Sequence, residues 1–120
     1  MKVAELEGAL LDAWVARAEG YDVVPAPTDP QGCWVDTGGT PFPFRPSTDW
    51  SQGGQIIERE QIAIETGGEG KYNPRPPTWY AICDGIFDYG HHHQGEGPTP
   101  LIAAMRAYVA SKFGEEVPDS

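Results

Sequence analysis

The chain has 120 residues and 13.0 kDa, the size of one domain that buries roughly two thirds of the surface exposed by its unfolded chain. Eight Lys plus Arg against eighteen Asp plus Glu give a net charge of −10, which repels phosphate backbones and anionic membranes at long range. Nucleic acid and membranes are thereby excluded as general partners; with no apolar run near the about 18 residues of a membrane span and no secretory signal pattern, the expected location is the cytoplasm.

Fifteen glycines and twelve prolines imply long ordered loops, while 39% apolar residues argue against disorder. Cys33 and Cys83 are expected as free, buried thiols, because a reducing compartment disfavours a structural disulfide.

In chain order, Leu6, Leu10, Ala13, Trp14 and Arg17 recur at three- and four-residue steps before Gly20, which predicts an amphipathic helix over about 5–18. Short β-prone pieces follow at Tyr21–Val24 and Cys33–Val35, punctuated by Pro25, Pro27, Pro30, Gly38, Gly39, Pro41 and Pro43. Ser47, Thr48 and Asp49 are N-cap residue types, and the spacing of Ile56, Ile57 and Glu60 predicts a short helix over about 54–60, opening near Gly53-Gly54, with a strand over the Ile pair as the alternative.

Ile62 and Ile64 alternate with Ala63 and Glu65, and Thr78 to Cys83 is rich in aromatic and β-branched residues; the two segments are expected to pair antiparallel across 67–77. A polar, solvated loop carries His91, His92 and His93. Thr99 as cap, Pro100 as first residue and Gly114 as terminator predict a helix over about 100–113, followed by a frayed tail at 115–120. The expected fold class is α+β: a single domain over 1–120, with a small antiparallel sheet packed by the two longer helices plus the short one.

Three strings then carry a likeness: LLDAWVARAEG (10–20), PSTDWSQGGQIIERE (46–60) and GPTPLIAAMRAYVASKFGEEV (97–117). In this order they span nearly the whole chain, which resembles the NinX-like family of small bacteriophage proteins, a domain of unknown function. The resemblance implies a phage accessory protein acting in the cytoplasm of the infected bacterial host. It supplies no chemistry, so candidate residues must come from the sequence itself.

The stretch from Ser47 to Gln55 places hydroxyls, an acid, an indole, an amide and two glycines at a helix entrance, where unpaired N–H groups and the helix dipole favour an anion. The bland reading is an N-cap and glycine turn with Trp50 in the core. On the functional reading, Trp14, Trp50 or Trp79 stacks on a ring, and Ser47, Asp49 and Gln52 hydrogen-bond a ribose or base. Gly53, Gly54, Arg59, Thr99 and Arg106 then meet phosphate. Arginines are scarce here, at 17, 45, 59, 75 and 106, and each needs an anion, either an internal carboxylate or a bound phosphate.

Enzyme signatures do not appear: neither a P-loop, a dinucleotide fingerprint nor G-x-S-x-G is present. Side chains of adjacent histidines diverge, and their spacing from nearby acids matches no zinc motif, so no metal and no cofactor is expected. Cys83 beside Asp84 lies in acidic surroundings that raise rather than lower a thiol pKa. Two function classes remain. The first is a non-catalytic binding protein that sequesters a small nucleotide-like ligand, by analogy with phage proteins that capture signals of bacterial immunity. The second is an acidic protein-interaction module that inhibits a host protein without a small-molecule ligand. A homo-oligomer fits either, since the core is limited and pockets often form at interfaces.

Overall fold

A computed structural model describes residues 1–27, 32–66, 78–84 and 92–118. A single 3-10 turn, Val3–Glu5, precedes helix α1 (Gly8–Ala18), which stops where Gly20 takes a positive φ of 80°. Three short strands follow, β1 (Asp22–Val24), β2 (Trp34–Asp36) and β3 (Phe42–Pro43), forming an antiparallel sheet in that order. Helix α2 (Trp50–Glu60) leads to β4 (Ala63–Thr66), β5 (Trp79–Asp84) and β6 (His92–Gly97), a second antiparallel sheet, and helix α3 (Pro100–Phe113) comes last. The fold is α+β, with its strands divided between two small sheets.

Local signals explain α3 directly. The Thr99 hydroxyl accepts the Ile102 N–H at 3.1 Å, Pro100 starts the helix, and Gly114 leaves it at a φ of 86°. Helix α2 is another matter, because it opens at Trp50 rather than near Gly54. Asp49 is its N-cap, accepting the Ser51 N–H at 2.8 Å, and Gln61 closes it in the left-handed region. Eleven residues long, it equals α1.

Gly53 lies inside α2 because of packing. A Cβ there would stand 2.2 Å from the Pro46 carbonyl oxygen and 2.7 Å from Leu101 Cδ2, so only glycine lets the helix close on the preceding loop and on α3. Gly95 on β6 plays the same part, its absent Cβ leaving room for the backbone of Ala103 and Ala107. The alanines of α3 thus seat directly on the strand.

The expected pairing of the 62–65 and 78–83 segments is present, with Ile64 opposite Ala81 and Glu65 opposite Tyr80. The joining region 67–77, including Arg75, lies outside the described residues, as does His91. His92 and His93 belong to β6, not to a solvated loop, since β5 pairs with it from Trp79–Gly97 to Asp84–His92. Residues 115–117 are not frayed either. Lys2 bridges Glu116, Val3 N–H donates to the Glu115 carbonyl and Val117 N–H to the Met1 carbonyl, and the Val117 side chain is buried. The core gathers Leu6, Leu11, Val15, Val35, Met105, Tyr108 and Val109, so α1 and α3 share one apolar interior with both sheets.

Candidate functional site

The predicted candidates do not meet in one cleft. Trp14 is core: it packs edge-on against Phe113 with centroids 5.3 Å apart, and the Arg17 guanidinium covers its ring at 4.5 Å. Trp79 is half-buried in β5 against the same core. Ser47 is fully buried, and its N–H donates to the Asp12 carboxylate at 2.9 Å. Asp49 and Thr99 act as caps, while Gly53 serves the packing just described.

Gln52 closes the loop before α2, its Oε1 accepting the Arg45 N–H at 2.6 Å and its Nε2 donating to the Pro43 carbonyl at 3.1 Å. Arg59 clasps Glu19 with two donors, at 2.8 and 3.0 Å, and reaches Glu60 with Nε at 2.9 Å. Tyr108 Oη donates to the same Glu19 carboxylate at 2.9 Å. This knot ties α1, α2 and α3 together: Glu19 holds the Arg59 guanidinium above its ordinary pKa, and burial pushes the Tyr108 phenol up. Arg59 therefore has internal carboxylates as its anions. Gln52 and Arg59 line a small pocket of about 250 Å³ with Tyr21, Phe42, Phe44 and Ile56.

Arg106 differs. Its Nε donates to the Leu6 carbonyl at 2.9 Å and its Nη1 to the Glu96 carbonyl at 2.7 Å, so two backbone oxygens fix the guanidinium plane. Among the described residues it forms no ion pair, although the chain carries eighteen acids. Burial pulls its pKa down, and the more distant Glu7 and Glu96 oppose that shift; it stays protonated, as guanidinium groups do. A half-buried cation held by neutral acceptors retains attraction for an anion that a carboxylate would otherwise cancel.

Arg106 lines a groove of about 350 Å³. One wall is β6 at Gln94–Glu96 with Tyr80 of β5 beside it, and the opposite wall is the paired chain ends, with Lys2, Glu115 and Glu116. Tyr80 is 38% exposed and offers an aromatic ring, Gln94 an amide, and Lys2 a second cation. None of residues 47–59 lines this groove. Sequence reasoning found Arg106 through its scarcity and helix position but missed Lys2, Tyr80 and Gln94. No spacing connects residues drawn from a chain end, β5 and β6; only the alternation of Tyr80 with buried Ala81 marked it as outward-facing.

The family model described as Bacteriophage P22, NinX matches residues 2–112, which takes in Lys2, both sheets and nearly all of α3. The chain belongs to the NinX family of bacteriophage proteins. A search of curated proteins finds no match. In this NinX-family chain the matched span includes Lys2, Tyr80, Gln94 and Arg106, and ends before Glu115 and Glu116. No helix among the described residues is long and apolar enough to cross a membrane. Nor does any group of three or more His, Cys, Asp or Glu among them stand ready to hold a metal ion.

Proposed function

We propose that this phage protein is a non-catalytic binding protein that captures a small nucleotide-like ligand in the Arg106 groove, withdrawing a signal of bacterial immunity from the host. The observation that carries the reading is Arg106 itself: half-buried, fixed by two carbonyls, and without an internal carboxylate among the described residues. Tyr80 supplies a surface for a planar ring, and Gln94 a donor and an acceptor for its edge.

The groove's own charges narrow the ligand class. Lys2 and Arg106 face Glu96, Glu115 and Glu116, all three carboxylates on exposed residues where solvent screens them. A polyphosphate meets net repulsion there, whereas a singly charged phosphate meets the half-buried Arg106 guanidinium. The volume, about 350 Å³, is at the small end of ligand pockets, which run from about 300 to 1,000 Å³. A cyclic mononucleotide, whose phosphodiester carries a single charge, fits both limits better than a nucleoside triphosphate.

The test has two arms. The protein is incubated with extracts of phage-challenged cells, recovered and denatured, and the released small molecules are identified; separately, melting is followed across a nucleotide panel. The expected result is an unchanged nucleotide enriched by the protein and a rise in Tm with the same compound. At a hundredfold excess over Kd the stabilisation is about 2.7 kcal/mol, a rise of roughly 10 °C for a chain of this size. No enriched ligand together with no shift across the panel sinks the reading, and recovery of a converted nucleotide replaces it with an enzymatic one.

A further inference from the structure

Trp50, which the groove does not use, is 56% exposed at the first position of α2. Its ring runs along the helix surface over Gly54, where a Cβ would meet Trp50 Cε3 at 3.7 Å and nothing else within 4 Å. The indole therefore lies over a position with no side chain of its own. Carboxylates stand at both ends of this ridge. Asp49 precedes it, its Oδ1 accepting from the Ser51 N–H at 2.8 Å and the Ser51 hydroxyl at 2.6 Å, and Glu58 follows on the same face as Trp50 and Gly54 at four-residue steps.

We infer that the Trp50 ridge is an interaction surface for a basic protein partner, with an arginine of that partner stacked on the indole between Asp49 and Glu58. Three features select this occupant. An exposed indole face attracts a cation, and a planar guanidinium stacks on it better than an ammonium does. Glu58, and Asp49 even with Arg45 nearby, match a guanidinium better than a phosphate. The net charge of −10 draws basic surfaces toward the chain and repels nucleic acid, so base stacking is the less favoured use of the same ring.

The proposal is independent of the groove, and its test uses the intact chain with a defined probe. A capped hexapeptide of alternating glycine and arginine is titrated by calorimetry against the protein and against Trp50→Ala and Trp50→Phe. The lysine counterpart of the peptide and an oligothymidylate serve as competing probes. The expected result is salt-sensitive binding of the arginine peptide, weakened about 2- to 5-fold in Trp50→Ala and partly retained in Trp50→Phe, with weaker binding of the lysine peptide. Because the indole is mostly in solvent, Trp50→Ala is expected to melt with the parent, which keeps a loss of binding interpretable. Equal binding by Trp50→Ala, equal binding of the two peptides, absence of binding, or preference for oligothymidylate each overturns the proposal.

Discussion

Asp12 shows how one buried carboxylate ties a loop to the interior. It is 4% exposed on α1 and accepts the Ser47 N–H, which fixes the turn that leads into α2. Burial raises its pKa above the ordinary 3.8, although Ser47 and the nearby Arg45 pull in the other direction. The folded state then holds the proton more tightly than the unfolded one. Stability conferred by this residue is greatest near and below pH 3.8, falls as pH rises through its folded-state pKa, and is level above that. Asp12→Asn keeps an oxygen to accept the Ser47 N–H and cannot ionise. Urea denaturation across pH 3 to 7 is expected to show Asp12→Asn losing the native chain's decline in that window and matching or exceeding its stability at pH 7. A variant markedly weaker at pH 7, with the decline unchanged, contradicts this reading. Burial, helped by the same carboxylate, pushes the Cys33 thiol up to about 11, so this cysteine is a poor nucleophile at neutral pH.

Among elements, α3 was legible in full because its start and stop are written in adjacent residues: Thr99, Pro100 and Gly114 each act within one turn. Helix α2 was legible only in its second half. Glycines 53 and 54 looked like an entrance, but Asp49 caps the helix four residues earlier, and Gly53 is inside it for the sake of contacts with Pro46 and Leu101. Long-range packing of this kind leaves no local signature, and neither does the division of the strands into two sheets. The same limit hid most of the groove, whose walls come from a chain end, β5, β6 and α3. Gly95 offers the direct test of how α3 seats on β6. A Cβ at this position would stand 2.1 Å from the Ala103 carbonyl oxygen and 2.5 Å from the Ala107 nitrogen, so helix or strand must shift. Gly95→Ala is expected to lower stability by about 1–3 kcal/mol or more. Gly39→Ala, where a Cβ meets nothing within 4 Å, is expected to change it by less than about 0.5 kcal/mol. Equal midpoints in urea for the two variants contradict the packing argument.

At the scale of the whole molecule, an acidic chain keeps its cations under close control. Arg59 is clasped by carboxylates in a knot joining α1, α2 and α3, Arg17 covers Trp14, and Arg106 is fixed by carbonyls in the groove. A charge of −10 opposes polyanions at long range, and for that reason the ligand proposed for the Arg106 groove is a singly charged nucleotide. The groove and the Trp50 ridge share no residue, so spectra that resolve individual sites separate them. The decisive measurement is a proton–nitrogen correlation spectrum, including arginine Nε and tryptophan Nε1 signals, recorded during titration with the nucleotide that most raises Tm, or with a cyclic mononucleotide. The groove reading predicts saturable shifts at Arg106 Nε and at the amides of Lys2, Tyr80 and Gln94, with the Trp50 indole signal unmoved. Shifts centred on Trp50 and Gly54 with Arg106 unchanged, or no saturable shift anywhere, would contradict it.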